Sequence, residues 1–585
     1  MIESRQTGLR GSGGRPIRLQ GTRSRALDVA RNRLLMAGAV FALAFLIVAA
    51  RVIDLTAFAR VERSALAGDP SRPVVARGDI RDRNGVLLAT SLPTASVYAD
   101  PREVIDPEEA AEKLVAVFPE LNRDRLAAKL AGDGRFVWIR RNLIPDEQHA
   151  VNLLGIPGVG FVDEERRVYP QGTAAAHVLG LTDVDGEGIA GVEKSFNRLL
   201  GGGEDVRISI DLRIQNAMRE ELAAAIREFR AVGAAGLVLD IHTGELLATV
   251  SLPDFDPNAM GADGADDRFN RVTTGVYEMG STFKLFTVAM GLDTGVTSLS
   301  GGYDASKPLR VARYTISDYH AKNRWLSVPE ILVYSSNIGA AQMAMQVGGP
   351  IQRDYLGRLG LLSRASVELP EVGAPLKPSP WREVNTMTVS FGHGIAVSPL
   401  QLTQAVAAVV NGGILRPTTI LALDGSPPPA GERVFSAATS RKMRALMRLV
   451  VRYGTGGSAE VAGYKVGGKT GTAEKLISGR YRRDKRISSF VGAFPMDAPR
   501  YVVLALIDEP KGNKRTYNYA TGGWVAAPVV GAVVRRMAPM MGLAPVMDGE
   551  SAPLVHRTKK SREQALRVAI GKTIANVRGP QLASN

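Results

Sequence analysis

The sequence has 585 residues, no cysteine and a formal net charge of +15 at pH 7. A chain of this length is too long for one compact core, so two or three folded units are expected. The absence of cysteine excludes disulfides, thiolate metal sites and a cysteine nucleophile. The six histidines are scattered without a pair at metal-ligand spacing, so we predict neither a metal nor a cofactor.

The positive charge is concentrated at the two ends of the chain. Eight arginines lie within residues 1–33, and a second basic cluster lies between residues 557 and 578. Such charge favours nucleic acid or an anionic surface as a partner. Neither cluster is accompanied by a recognition helix or by a basic strand interleaved with aromatic residues. The sequence therefore predicts a membrane surface and no nucleic-acid partner.

An unbroken apolar run of 17 residues, 34–50, follows the basic tail. It is at the short end of what spans a bilayer, and it extends to Ile53 if Arg51 snorkels to the interface. We therefore predict a cytoplasmic tail at 1–33 and one transmembrane anchor at 34–53, with the remainder of the chain outside the membrane. A cleaved signal peptide is the alternative, although the basic region before the apolar run is long for one.

Residues 54–204 mix short strand-like and helix-like patches and contain no obvious pair of nucleophile and base. The stretch Arg77–Ala89 has an Asn-Gly turn between extended segments, which predicts a β-hairpin. A second stretch, from Tyr169 to Glu193, is punctuated by glycines and predicts a loop region. We interpret residues 54–204 as a mixed α/β, non-catalytic pedestal domain.

The pattern changes near residue 205. A short strand and an amphipathic helix come first, and the segments Gly236–Asp240 and Glu245–Val250 then flank a tight turn. Two apolar segments around such a turn predict a second hairpin. We therefore predict a second domain of helices and antiparallel sheet at 205–540, followed by a flexible basic tail at 541–585.

A serine and a lysine three residues apart, Ser281 and Lys284, lie at the start of an apolar run in this domain. If a helix begins at Ser281, Lys284 lies one turn along on the same face, within reach of the hydroxyl. The helix dipole and a partly desolvated cleft would lower the pKa of the lysine, and a neutral lysine can accept the proton of a serine. The alternative is a capping serine followed by a surface lysine, because the S-x-x-K motif is short.

Two later segments carry polar side chains that could complete such a site. The segment Tyr334–Asn337 precedes a helical run and could direct Ser335 and Asn337 into a cleft, although it is also an ordinary helix cap. The segment Lys469–Thr472 is typical of a strand with both threonines on one face and an approachable backbone at Gly471. Two hydroxyls and an ammonium there would bind a carboxylate, and the alternative is a glycine-rich turn with incidental hydroxyls.

Together, S-x-x-K, S-x-N and K-T-G in this order resemble the penicillin-binding proteins and serine β-lactamases. Arg77–Ala89 resembles the membrane-proximal domain of class B penicillin-binding proteins, which β-lactamases lack. The resemblance extends from the anchor to about residue 536. Position 393 departs from the tyrosine often found in the family. Because Lys284 would already be the general base, His393 is expected to have a structural or substrate-lining part. Five further segments resemble the septal, division-specific members of class B: Ser390–Gly394, Ser398–Leu402, Ser489–Gly492, Ile507–Pro510 and Gly523–Pro528.

The resemblance implies an α+β fold in which the transpeptidase domain has an antiparallel sheet flanked by helices. It implies a serine-type peptidoglycan D,D-transpeptidase that cross-links stem peptides ending in D-Ala-D-Ala at the division septum and is inhibited by β-lactams. Ser281 would attack the penultimate D-Ala carbonyl and Lys284 would take the proton. Ser335 would relay a proton to the leaving amine within the positive field of Lys469. The substrate-binding positions would be Asn337, Thr470, Gly471 and Thr472, with the backbone N–H groups of Ser281 and Thr472 as the oxyanion hole.

The resemblance also implies a location and partners. The chain would be a single-pass protein of the bacterial inner membrane, with a periplasmic catalytic domain at the division septum. No stretch between the anchor and residue 200 resembles a glycosyltransferase domain, so a membrane-embedded septal glycosyltransferase and other division proteins are expected as partners. Two alternatives stay open, an elongation-type class B transpeptidase and a non-catalytic scaffold or β-lactam sensor of the same fold.

Overall fold

The chain divides into two compact units, Met1–Val75 and Ala76–Asn585. In the first unit, residues 35–46 and 48–49 are helical. No helix within the described residues combines the length and the hydropathy that crossing a bilayer requires. The predicted tail at 1–33, and residues 34, 47 and 50–53 of the predicted anchor, lie outside the described part. The computed structural model describes residues 35–46, 48–49, 76–259, 264–311, 314–477, 479–546 and 559–578.

The second unit begins with short strands and helices that lie between residues 76 and 207. In chain order they are β1 (Ile80–Arg81), β2 (Leu87–Ala99), α1 (Pro107–Val117), α2 (Arg123–Leu130), β3 (Val137–Leu143), α3 (Pro145–Leu153), β4 (Val159–Val168), α4 (Ala176–Leu179), α5 (Gly191–Ser195), α6 (Asn197–Gly201) and β5 (Val206–Arg207). The strands form one sheet in the order β3-β2-β1-β5, with β4 also paired to β2. Ile80 lies opposite Ala89 in antiparallel register, which confirms the hairpin predicted at the Asn-Gly turn. The sequence predicts that β5 belongs to the second domain, but β5 pairs with β1 in this first sheet.

A buried ion-pair cluster joins the first hairpin to the glycine-punctuated stretch. The side chain of Glu193 is fully buried, and its two oxygens accept hydrogen bonds from Arg77 Nε at 2.8 Å and Arg167 Nε at 2.7 Å. Arg77 Nη2 also donates to the backbone carbonyl of Glu193 at 2.9 Å. The two stretches that the sequence singled out before residue 204 therefore meet around one carboxylate.

Residues 208–546 form a second sheet of five strands and the helices that pack against it. The first half of this part contains α7 (Leu212–Phe229), β6 (Gly233–Asp240), β7 (Leu246–Leu252), α8 (Lys284–Asp293), β8 (Gly302–Asp304), β9 (Leu309–Val311), β10 (Tyr314–Ile316), β11 (Trp325–Ser327), α9 (Val328–Tyr334), α10 (Asn337–Val347), α11 (Gly349–Arg358) and α12 (Glu383–Val389). The second half contains α13 (Pro399–Val410), β12 (Ile414–Leu415), β13 (Glu432–Arg433), α14 (Ala437–Tyr453), β14 (Gly467–Ile477), β15 (Arg480–Phe494), β16 (Tyr501–Asp508) and α15 (Gly522–Met540).

The second sheet is antiparallel and has the order β14-β15-β16-β6-β7. The pairing of β6 with β7 confirms the second predicted hairpin. Successive residues of β6 face two different buried clusters: Leu237 packs with residues of α8, α13 and α14, and Val238 packs with residues of α7 and α15. Because helices bury both faces, β16 is a continuous apolar run rather than an alternating one. The predicted α+β fold with a sheet flanked by helices is confirmed.

The end of the chain differs from the predicted flexible tail. Residues Lys559–Arg578 form α16, in which Leu566 is only 2% exposed. The apolar residues recur at intervals of three or four, which is the helical period, and the basic residues between them concealed that pattern in the sequence. Residues 547–558 and 579–585 of the predicted tail lie outside the described part. Four further side chains of α16 pack against the main core: Ala569, Ile570, Ile574 and Val577.

Replacing Glu193 with alanine should destabilise the first sheet region, because Arg77 and Arg167 would be left as buried cations without their carboxylate. Removing one partner of a buried ion pair costs about 3–5 kcal/mol. We expect Glu193→Ala to lower the thermal unfolding midpoint of the purified protein. The matched control is Glu204→Ala, which removes an exposed carboxylate and should leave the midpoint within about 1 °C of wild type. Equal midpoints for the two variants would contradict this account of the cluster.

Candidate active site

The turn that carries Ser281 differs slightly from the predicted helix start. Ser281 lies in a 3₁₀ turn, Gly280–Phe283, and the α-helix begins at Lys284. In a 3₁₀ turn the side chains at positions i and i+3 eclipse each other, which brings these two side chains together directly. Lys284 Nζ lies 2.9 Å from Ser281 Oγ. The expected contact between the serine and the lysine is therefore present.

The amino group of Lys284 is enclosed by oxygen atoms from the S-x-N segment. Its Nζ lies 2.7 Å from the backbone carbonyl of Ser335, 2.6 Å from Asn337 Oδ1 and 3.1 Å from Ser335 Oγ. A carbonyl and an amide oxygen only accept hydrogen bonds, so they take two N–H groups of the amine. A neutral amine then has its lone pair left for a hydroxyl. The geometry suits Lys284 to receive a proton from Ser281.

Ser335 connects the first lysine to a second one. Lys469 Nζ on β14 lies 3.0 Å from Ser335 Oγ, so this hydroxyl contacts both amino groups. Ser335 has a φ of +60°, a left-handed conformation that non-glycine residues adopt at a cost. Backbone strain of this kind persists only where the surrounding contacts hold it, and it is concentrated at functional sites. Ser335 directly follows the last residue of α9, and its left-handed backbone places the hydroxyl between the two lysines.

Both lysines are buried, and burial disfavours their charged forms. Burial, together with the charge of Lys469, lowers the pKa of Lys284 well below its usual value, although Asp318 opposes the shift. Burial also lowers the pKa of Lys469 to about 7. The site therefore favours a neutral amine at Lys284, and it does so without a histidine.

The K-T-G segment lies on β14, the edge strand of the second sheet. A Cβ atom at Gly471 would lie 2.5 Å from the carbonyl oxygen of Met279, so only glycine allows the strand to approach the turn of Ser281. Thr470 Oγ1 lies 2.7 Å from Thr455 Oγ1, and Thr472 Oγ1 accepts a hydrogen bond from the backbone of Gly522 at 3.1 Å. The edge strand thus brings the second lysine and both threonines beside the serine turn.

One residue that sequence reasoning missed is Asp318, which holds the S-x-N segment in place. Its carboxylate accepts hydrogen bonds from Ser336 Oγ at 2.7 Å, from the backbone of Asn337 at 2.6 Å and from the backbone of Ile338 at 3.0 Å. An acidic group is stabilising at a helix N-terminus, here that of α10. Asp318 lies in no motif of its own, so only the fold shows this role.

Two family models match the chain. The penicillin-binding protein transpeptidase domain matches residues 234–535, and the penicillin-binding protein dimerisation domain matches residues 73–212. The three motif segments lie within the first match, and the Glu193 cluster lies within the second. The dimerisation-domain match therefore corresponds to the part of the chain that forms the first sheet, and the transpeptidase-domain match corresponds to the part that forms the second sheet.

Relatives and solved structures agree with these matches. The probable peptidoglycan D,D-transpeptidase FtsI of Caulobacter vibrioides is 46% identical over 482 residues, covering 80% of this chain and 82% of the relative. The peptidoglycan D,D-transpeptidase FtsI of Escherichia coli K12 is 33% identical over 505 residues, covering 80% and 84%. A crystal structure of penicillin-binding protein 3 from Mycobacterium tuberculosis, complexed with aztreonam, has a TM-score of 0.65 at 25% identity and covers 83% of this chain and 99% of that one.

Gly280 offers a test of how tightly the serine turn is held. Its φ is +54°, and a Cβ atom there would lie 2.7 Å from the carbonyl oxygen of Thr472. Gly280→Ala should therefore displace Ser281 from Lys284 and slow acylation by a fluorescent penicillin by about 100-fold. Gly295→Ala is the matched control, because Gly295 has a φ of +77° and nothing within 4 Å of an added Cβ atom. Equal acylation rates for the two variants would contradict the claim that the close contact at Gly280 holds Ser281 in place.

Proposed function

This chain belongs to the class B penicillin-binding proteins, and we propose that Ser281 is the nucleophile of a peptidoglycan D,D-transpeptidase acting at the division septum. The substrate is a stem peptide that ends in D-Ala-D-Ala. The proposal draws on the family, on the relatives named for this activity and on the arrangement of three motifs around one serine. The single observation that carries it is the contact of Ser281 Oγ with a buried Lys284 whose other contacts are oxygen atoms.

In the first half-reaction, Ser281 Oγ attacks the carbonyl carbon of the penultimate D-Ala and gives its proton to Lys284. An ester bond forms to Ser281, and the amide C–N bond to the terminal D-Ala breaks. The leaving amine takes a proton by way of Ser335 Oγ, which contacts both lysines. The backbone N–H groups of Ser281 and Thr472 stabilise the oxyanion, a contribution of about 3–4 kcal/mol per donor.

The donor peptide is proposed to bind along the free edge of β14. An extended peptide gains backbone hydrogen bonds when it adds to an exposed sheet edge. The terminal carboxylate of the donor is held by the hydroxyls of Thr470 and Thr472 near Lys469, where charge-assisted hydrogen bonds are strong. Asn337 binds an amide of the donor, and Gly471 keeps the strand close to the serine turn.

In the second half-reaction, an amine of a neighbouring stem peptide attacks the ester carbonyl. The new amide bond forms as the bond to Ser281 Oγ breaks, and the serine takes back a proton through Lys284. A β-lactam takes the place of the donor and remains attached as an ester, because water attacks that ester poorly. The same serine is thereby the site of inhibition.

We propose a cytoplasmic tail at 1–33, an inner-membrane anchor at 34–53, a pedestal domain that runs from residue 54 through β5 (Val206–Arg207), and a periplasmic transpeptidase domain that extends from there to residue 540. A membrane-embedded septal glycosyltransferase would supply the glycan strands, because no stretch between the anchor and residue 200 resembles such an enzyme. Septal use rather than side-wall use is favoured by the division-type relatives. A non-catalytic sensor is disfavoured by the intact lysine–serine contacts.

Labelling with a fluorescent penicillin tests the nucleophile. Wild-type protein should acquire a stable covalent label, and Ser281→Ala should lose it by at least about 1,000-fold because no other residue replaces the attacking oxygen. Ser298→Ala is the matched control, since Ser298 is exposed and its hydroxyl contacts only Ser300 among the described residues. Undiminished labelling of Ser281→Ala would place the nucleophile elsewhere, and an unlabelled wild type would favour a scaffold.

A further inference from the structure

A cluster of three side chains beside the serine turn takes no part in the donor chemistry described above. Glu278 lies three residues before Ser281, and one of its oxygens, Oε1, accepts hydrogen bonds from Tyr481 Oη at 2.9 Å and from the backbone of Gly394 at 2.8 Å. The ring centroids of His393 and Tyr481 are 6.0 Å apart. The cluster of Glu278, His393 and Tyr481 therefore connects the serine turn, the loop at 392–394 and β15.

Two atoms of this cluster are buried without a hydrogen-bond partner. They are the second carboxylate oxygen of Glu278, Oε2, and the ring nitrogen Nδ1 of His393. Leaving a buried polar atom unpaired costs about 1–3 kcal/mol, and more for a charged group. In the part of the chain that the structure describes, no Lys, Arg or His forms an ion pair with Glu278. A carboxylate next to the nucleophile thus has an unoccupied acceptor in a chain whose net charge is +15.

The cluster is close to the serine turn but separate from the donor groups. The backbone N–H of Gly280 donates to the carbonyl of Gly392 at 3.3 Å, so the loop that carries His393 lies directly against the turn. Tyr481 pairs with Leu476, four residues along β14 from Thr472. At about 3.3 Å per residue, that is roughly 13 Å beyond the proposed carboxylate site. The strand position opposite Tyr481 and the proposed carboxylate site are therefore separated along β14.

The transpeptidase reaction needs a second substrate, and the chemistry of that substrate fits this cluster. The acceptor stem peptide carries an amino group, which is a cation in solution and has three N–H donors. We propose that Glu278 and His393 bind the amino group of the acceptor stem peptide beside the acyl-enzyme formed at Ser281. This proposal rests on the proposed function and adds a binding site for its second substrate.

The protonation states of the cluster are compatible with that role. Burial lowers the pKa of His393 to about 4, so its imidazole is neutral at pH 7 and offers one nitrogen as an acceptor. Burial raises the pKa of Glu278, while the hydrogen bonds from Gly394 and Tyr481 oppose that shift. A carboxylate that is poorly solvated gains more from a bound cation than an exposed one does.

The experiment measures what fraction of the acyl-enzyme is hydrolysed by water and what fraction transfers its acyl group to an amine. The full-length protein in detergent is acylated with a D-alanyl thioester donor, and the products of hydrolysis and of transfer to an amine-bearing stem peptide are quantified. In Glu278→Gln the amide oxygen still accepts hydrogen bonds from Gly394 and Tyr481, so the loop keeps its support while the charge is lost. We expect the ratio of transfer to hydrolysis to fall by about 10-fold or more, with a raised KM for the acceptor.

The controls separate this proposal from the function on which it rests. Glu432→Gln neutralises an exposed carboxylate on β13 and should leave the ratio at its wild-type value. A stem peptide with an acetylated amino group should give no transfer with any variant. A wild-type ratio in Glu278→Gln would overturn the acceptor site, while a wild type that forms no ester at Ser281 would overturn the proposed function itself.

Discussion

The burial of two lysines around one serine hydroxyl is the interaction on which the rest of the site depends. Lys284 and Lys469 both contact Ser335 Oγ, and two ammonium ions so close together in a desolvated pocket repel each other. The conflict is relieved when one amine is neutral. Burial and the charge of Lys469 lower the pKa of Lys284 well below its usual value, so Lys284 is favoured as the neutral amine and the pocket prepares a base before any substrate arrives.

The fold brings these groups together from four separate segments. The 3₁₀ turn aligns Ser281 with Lys284, the strained end of α9 presents Ser335, Asp318 holds the start of α10, and the edge strand β14 delivers Lys469. Close approach is possible because glycines stand where the backbones meet. Gly280 faces the carbonyl of Thr472, and Gly471 faces the carbonyl of Met279. In both places a side chain would clash with the facing backbone.

The elements that local chemistry determines could be predicted from the sequence. The Asn-Gly turn predicts the first hairpin, and the three motifs in their order predict the serine, both lysines and a strand at Lys469–Thr472. That this strand lies at the edge of the sheet is shown only by the fold. The missed features depend on contacts between distant segments. Asp318 and Glu278 stand in no periodic pattern that marks their partners, and Glu193 meets Arg77 across 116 positions of the chain. In α16 the apolar period was present, but its high charge suggested a solvated tail.

The most direct test of a neutral Lys284 is the pH dependence of acylation by a β-lactam, measured as a second-order rate constant on wild-type protein. A lysine is neutral above its pKa, and burial lowers that pKa well below its usual value. The account therefore predicts that the rate reaches its plateau well below pH 10 and does not keep climbing up to that pH. A rate that rises by roughly tenfold per pH unit up to about pH 10 would mean an ordinary lysine pKa, and it would contradict the account.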